Sequence, residues 1–228
     1  MRRTIAVSEM LPVRSDGRPL LRGWLHAVMA PLALVGTAVL WQAAGGGDAV
    51  KRATVAVFGM ALTGLYTTSS LYHVGRWSAR GRYILSRCDV VMIQLCIAGT
   101  FTPIAWHALD GHWRIWSLVA AWAVAAGGAV IAASPLRAPR WVGTCGYIAV
   151  GWLTIVPFGR IMAALPWEGS GLIVLGGVLY TIGGVVYARQ RPDPLPQWFG
   201  YHEVFHLLVV AASTAHYLAI WRYVLPIT

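Results

Sequence analysis

Charged residues are scarce in this 228-residue sequence, where Asp, Glu, Lys and Arg make up 11% against 57% apolar residues. A soluble domain carries about 25% charged residues, so this chain cannot cover a water-facing surface in the usual way. The composition excludes an intrinsically disordered chain and a nucleic-acid-binding domain, and it indicates a protein embedded in lipid. Cysteine is also scarce, and the three cysteines show no motif spacing. This excludes a disulfide framework and a thiolate zinc site.

Long runs without any charged residue are what the sequence has instead. Seven segments of 17 to 21 residues contain no Asp, Glu, Lys or Arg. Each is long enough for a helix to cross a hydrocarbon core about 30 Å thick, and a helix satisfies its own backbone hydrogen bonds in lipid. We therefore predict an all-α membrane protein, a bundle of seven transmembrane helices. The predicted spans are 25–44, 53–73, 90–106, 115–133, 141–159, 169–188 and 204–221.

The basic residues predict how this bundle is oriented. With the N-terminus in the cytosol, 13 of the 18 basic residues lie on the cytosolic side and five on the outer side. Cytosolic loops are enriched in Lys and Arg, so we expect the N-terminus inside and the C-terminus outside. Residues 1–24 are then a cytosolic tail, and residues 25–228 form the transmembrane domain. The excess positive charge is expected to contact anionic lipid headgroups and not nucleic acid.

Three histidines and one aspartate are predicted to meet at the cytosolic face. His202 and His206 stand at positions i and i+4 where the seventh helix begins, on one face of that helix. His73 closes the second helix, which runs from outside to inside, and Asp89 begins the third. Polar residues at membrane depth are functional candidates by default. Three imidazoles can bind zinc and leave a fourth position open, as in a catalytic site.

Asp89 and Ser69 are candidates for the chemistry beside such a metal. Asp89 could hold and deprotonate a water molecule on the zinc, or it could be an ordinary interfacial carboxylate next to Arg87. Ser69 lies one helical turn before His73, on the same face. Its hydroxyl could bind the water or a substrate carbonyl, or it could bond back to its own helix.

Four further histidines are assigned lesser roles. His26, at the inner end of the first helix, is expected to be a packing residue, with a position beside the same cavity as the alternative. His216 lies about 15 Å deeper along the helix than His206, which is too far for the same metal. It is expected to pack or to make a polar contact within the bundle. His107 and His112 are expected to be solvated in an outer loop.

Taken together, these motifs resemble the hemolysin III family and its eukaryotic relatives, the adiponectin and progestin receptors. The similarity is greatest over the segments 64–103 and 201–217. The short tail is similar to the bacterial branch, which implies a multi-pass protein of the bacterial inner membrane. The resemblance rests on Ser69-x-x-x-His73, on Asp89 and on His202-x-x-x-His206.

The resemblance implies a zinc ion held near the cytosolic face by His73, His202 and His206. Asp89 would orient the water, and Ser69 would support it. The adiponectin receptors are associated with ceramide amide hydrolysis. We therefore expect a zinc-dependent hydrolase of a lipid amide or ester, with membrane lipids as partners and a lipid substrate or ligand inside the bundle. The sequence does not predict the oligomeric state.

Other functions stay open at this point. The main alternative is a receptor, a regulator or a haemolysin-type permeabilising protein in which zinc is structural. The motif from His202 to His206 also fits H-E-x-x-H, in which Glu203 would be the general base of a metalloprotease. The Asp110-Gly111 pair that could supply a third ligand lies at the outer face, out of reach. A retinal-binding proton pump is excluded, because the only lysine, Lys51, lies in a loop.

Overall fold

The structure, a computed structural model, describes residues 17–134, 146, 148–149, 151–152 and 156–227. These residues form seven α-helices and contain no β-strand, which confirms the predicted all-α class for the part of the chain described. A π-helical turn, Ile220–Val224, and a 3-10 turn, Leu225–Ile227, extend the last helix. The helices are α1 (Trp24–Ala43), α2 (Ala49–Val74), α3 (Ala79–Ala108), α4 (Gly111–Ala133), α5 (Phe158–Ala164), α6 (Trp167–Arg189) and α7 (Tyr201–Ala219).

Six of these helices, all except α5, are long and apolar enough to cross a membrane. They coincide with the first four predicted spans and with the sixth and seventh. The predicted fifth span, 141–159, lies largely outside the described residues, although residues 146, 148–149 and 151–152 are helical. The described helices are consistent with the predicted seven-helix membrane bundle. Residues 1–16 of the predicted tail also lie outside the described part of the chain.

The third helix begins earlier than the sequence predicts. It starts at Ala79, so Asp89 lies about three turns inside α3 and does not open it. The prediction was wrong because a run without charges measures only the hydrophobic part of a helix. The backbone of α3 is already helical at Arg80 and Arg87, and the Ser78 hydroxyl caps its start by accepting the Gly81 N–H at 3.2 Å.

Helices that follow one another in the chain also pack against one another. The closest pairs are α1 with α2, α2 with α3, α3 with α4 and α6 with α7, and α7 also touches α1. Many large apolar side chains lie on the outer surface of the bundle, as expected for a surface that contacts lipid and not water. Examples exposed by more than half are Val28, Leu32, Val35, Met60, Trp116, Val130 and Ile131.

Gly99 allows α3 to approach α2 closely. A Cβ atom at this position would lie 2.7 Å from the Cβ of Ala61 and 3.4 Å from the carbonyl oxygen of Val57. Neither atom can move without shifting α2. We expect Gly99→Val to lower the free energy of unfolding by about 1–3 kcal/mol, the usual cost of overpacking, as measured by unfolding in detergent micelles.

Gly127→Val provides the matched control for this substitution. Gly127 lies within α4. Apart from Gly127 itself, its two chain neighbours and the backbone of its own helix, no atom of the described residues lies within 4 Å of a Cβ built there. The same valine is therefore expected to cost little at this position. An equal loss of stability at both glycines would contradict a specific close approach at Gly99.

Candidate metal centre

Three histidines approach one another where α2 ends and α7 begins, and we call them the histidine cluster. His73 lies in the last turn of α2, and His202 and His206 lie one turn apart at the start of α7. His73 and His206 are 3% and 2% exposed, whereas His202 is half-buried. Helices α2 and α7 therefore bring together His73 and His202, which are 129 residues apart in the chain.

The spacing within the histidine cluster suits a single small cation. Nε2 of His73 lies 3.1 Å from Nε2 of His202, and one ring nitrogen from each of the three histidines lies within 4.8 Å of the others. Two imidazole nitrogens, each about 2.0–2.1 Å from a tetrahedral zinc, stand about 3.3 Å apart. The histidine cluster could therefore hold a metal ion.

The hydrogen bonding of these rings supports the same conclusion. Nδ1 of His73 and Nδ1 of His206 are buried and have no hydrogen-bond partner among the described residues. Buried polar groups are nearly always paired with protein, water or an ion, so each of these nitrogens calls for a further partner. A metal at Nε2 of His73 would leave Nδ1 of that ring to another partner, so only Nδ1 of His206 bears on the metal. Three neutral imidazoles are also the donor set of a catalytic zinc.

Asp89 and Ser69 lie beside the histidine cluster. Oδ2 of Asp89 is 3.7 Å from Nε2 of His73, longer than the 2.7–3.2 Å of a direct N–H···O hydrogen bond. Ser69 is 2% exposed and lies one helical turn before His73 in α2. The structure thus brings all five residues selected from the sequence to one end of the bundle.

His26, which the sequence analysis expected to be a packing residue, is a direct neighbour of the histidine cluster. Its ring stacks on that of His206, with centroids 3.8 Å apart and planes 9° apart, and it also contacts Tyr66. Both of its ring nitrogens are buried without a hydrogen-bond partner in the described part of the chain. The signal in the sequence was its position, because the start of α1 lies at the same end of the bundle as the end of α2 and the start of α7.

Glu203, between two members of the histidine cluster, has partners of its own. It is 2% exposed, and its Oε1 accepts a hydrogen bond from Nε of Arg22. Its Oε2 accepts the backbone N–H of Gly200 at 2.8 Å, which satisfies a donor at the start of α7. Both carboxylate oxygens are thus engaged by these two partners.

The remaining histidines lie away from the cluster. His107 is buried in the last turn of α3, and its Nε2 lies 3.2 Å from Oγ1 of Thr54, so the prediction of a solvated loop residue was wrong. His112 is exposed, although it lies in the first turn of α4. Nε2 of His216 lies 3.1 Å from the carbonyl oxygen of Ile173, which is a polar contact within the bundle.

Comparison with known proteins identifies the family. Residues 16–217 match the sequence profile described as Haemolysin-III related. The chain belongs to this family. The match covers the histidine cluster, Asp89 and Ser69, and it confirms the resemblance inferred from those motifs.

Relatives of this haemolysin-III family member occur in bacteria and eukaryotes. The hemolysin-3 homolog of Bacillus subtilis is 30% identical over 181 residues, which are 79% of this chain and 82% of that protein. The human monocyte to macrophage differentiation factor is 26% identical over 210 residues, 88% of this chain and 82% of its own length. The rice heptahelical transmembrane protein ADIPOR3 is 28% identical over 177 residues, 71% of this chain and 44% of that protein. The chain is accordingly a multi-pass membrane protein.

Proposed function

We propose that this haemolysin-III family protein is a zinc-dependent hydrolase that cleaves an amide or ester bond in a membrane lipid. The observation that carries the proposal is the convergence of three imidazoles and a carboxylate at one end of a membrane bundle. We further propose that the protein lies in a bacterial inner membrane. Its N-terminus and this end of the bundle would face the cytosol, in line with the distribution of basic residues.

The histidine cluster would hold the zinc. Zinc held by these residues would supply Lewis acidity toward a carbonyl and toward an attacking water molecule. Asp89, beside His73, is positioned to accept the proton of the attacking water and to return it to the departing amine or alcohol. Ser69, buried one turn before His73, would support the water or a substrate carbonyl with its hydroxyl.

The substrate class follows from where the site lies. The histidine cluster stands at the end of two helices that are long and apolar enough to cross a membrane, so it would lie near the depth of lipid headgroups. A lipid presents its amide or ester bonds at that depth, between the headgroup and the acyl chain. A molecule that reaches the site sideways from the bilayer can therefore offer a carbonyl while its chain stays in lipid.

Metal content and lipid hydrolysis, measured together, test this function. Wild-type protein and His202→Ala are purified in detergent, analysed for metals and incubated with a panel of ceramides, other N-acyl lipids and phospholipid esters. We expect about one zinc per chain in the wild type and fatty-acid release from at least one lipid. His202→Ala should lose both the zinc and the activity.

His112→Ala is the matched control, because His112 is exposed and lies at the opposite end of the bundle. It should keep both zinc and activity. Wild-type protein without bound zinc would contradict the proposed site. Stoichiometric zinc without release of fatty acid from any lipid would favour the alternative, a receptor, regulator or permeabilising protein with structural zinc.

A further inference from the structure

The segment from Arg18 to Gly23, which we call the entry segment, lies against the loop that precedes α7. The backbone N–H of Leu20 donates to the carbonyl of Gln197 at 2.9 Å, and that of Leu21 donates to the carbonyl of Trp198 at 3.1 Å. The entry segment is therefore held by main-chain hydrogen bonds near the residues that begin α7. Its position does not depend on helix packing alone.

Arg22 then connects the entry segment to α7 itself. Its Nε donates to Oε1 of Glu203, and the two side chains are only 12% and 3% exposed. A carboxylate buried to this extent is unfavourable unless a cation compensates its charge. Because Glu203 lies in the turn of α7 that carries His202 and His206, the ion pair fixes that turn relative to the entry segment.

The next residue, Gly23, contacts the other helix of the site. It has a φ of 84°, and a Cβ atom on it would lie 2.5 Å from the Cβ of His73 and 3.1 Å from Cγ2 of Val74. Only glycine permits this approach of the backbone to the end of α2. Three residues later, His26 stacks on His206.

Consecutive residues of the entry segment thus touch both helices that carry the histidine cluster. We propose that the buried Arg22–Glu203 pair is a latch that positions His202 and His206 of α7 against His73 of α2. Arg22 and Glu203 are positioning residues in this proposal, and neither takes part in proton transfer. The proposal rests on the function proposed above, because the positioning matters through the metal that the cluster holds.

The latch makes a different prediction from the metalloprotease interpretation of Glu203. A general base must lie within hydrogen-bond reach of the reacting water, whereas the latch assigns the two oxygens of Glu203 to their hydrogen bonds with Arg22 and Gly200. If Glu203 were the base, its loss would leave metal affinity intact, and loss of Arg22 would also change metal affinity little. If the pair is a latch, loss of either residue weakens metal binding.

A double-mutant cycle tests the latch. Zinc affinity is measured by competition with a chromophoric chelator, and melting temperature is measured on metal-free protein, for wild type, Arg22→Gln, Glu203→Gln and the double variant. We expect Arg22→Gln to weaken zinc binding about tenfold, the lower end of the effect of residues that orient metal ligands. The double variant should bind zinc more tightly than Arg22→Gln, because it no longer buries an unpaired carboxylate.

Two further variants complete the experiment. Arg22→Lys keeps the positive charge and should bind zinc more tightly than Arg22→Gln. Arg76→Gln removes the same charge from an exposed position in the loop between α2 and α3, and it should leave zinc affinity unchanged. If Arg22→Gln does not fold, the comparison of Glu203→Gln with Arg76→Gln still decides, since only the former should weaken zinc binding.

Wild-type zinc affinity in Arg22→Gln or in Glu203→Gln would overturn the latch, as would additive losses in the double variant. The outcome is distinguishable from failure of the proposed function. If the wild-type protein binds zinc but hydrolyses no lipid, the proposed hydrolase function is wrong, and the zinc affinities of the variants still test the latch. If the wild-type protein binds no zinc, the latch has no metal ligands to position. Additive changes in melting temperature would then also show that Arg22 and Glu203 are not coupled.

Discussion

Replacing Asp89 with alanine is expected to leave zinc in the protein and to slow lipid hydrolysis about 10²–10⁴-fold, the usual contribution of a positioned acid–base group. The reason is the separation of roles at the site. In the proposed site the histidine cluster would hold the metal without Asp89, whose Oδ2 is 3.7 Å from Nε2 of His73. The proposal therefore assigns the carboxylate to proton transfer and not to metal binding. Initial rates at saturating lipid and metal content of the same samples check this prediction.

Asp110→Ala is the control for the substitution of Asp89. It removes a carboxylate from an exposed position at the opposite end of the bundle, where its side chain makes no capping hydrogen bond to α4. Rates should stay at the wild-type value. Loss of zinc in Asp89→Ala would show that Asp89 is itself a ligand, and an unchanged rate would remove it from the chemistry.

Removal of the metal should lower the stability of the protein strongly. A ligand that binds only the folded state stabilises it by about 4 kcal/mol at a free concentration 1,000 times its dissociation constant. Here the ligands come from α2 and α7, so a bound ion would also link two helices that lie far apart in the chain. We expect the melting temperature in detergent to fall after treatment with a chelator and to recover when zinc is added.

His206→Gln separates this effect from a general effect of the chelator. The variant removes one of the three proposed ligands and keeps a polar side chain of similar length. Its melting temperature should be low from the start and should respond to neither chelator nor zinc. A chelator-dependent shift of wild-type size in His206→Gln would contradict the assignment of the metal to the histidine cluster.

The helices and the meeting of the three histidines were predictable because each follows from the order of residues along the chain. A run without charges marks the stretch that lipid can solvate, and the order of the spans fixes which helix ends share a side of the membrane. His73 closes an even-numbered span and His202 opens an odd-numbered one, so they fall at the same end. The distribution of basic residues assigns that end to a side of the membrane, which stays a prediction.

The details around the site were not predictable because they depend on packing in three dimensions. Arg22 and Glu203 are 181 residues apart, and nothing in either local sequence selects the other as its partner. His107 follows the last apolar residues of a span, and only the approach of Thr54 from α2 shows that it is enclosed. The start of α3 was missed because hydrogen bonding of a helix continues past the residues that lipid solvates.

The origin of the histidine cluster from α2 and α7 has a consequence for biogenesis. A chain that emerges from the ribosome inserts α2 early, but His202 and His206 follow only after nearly all of the other helices have been made. A metal could therefore bind the complete cluster only late in assembly, and a truncated product that ends before α7 contains His73 without its partners. Such a fragment retains apolar helices that insert into the bilayer, but it cannot form the complete histidine cluster.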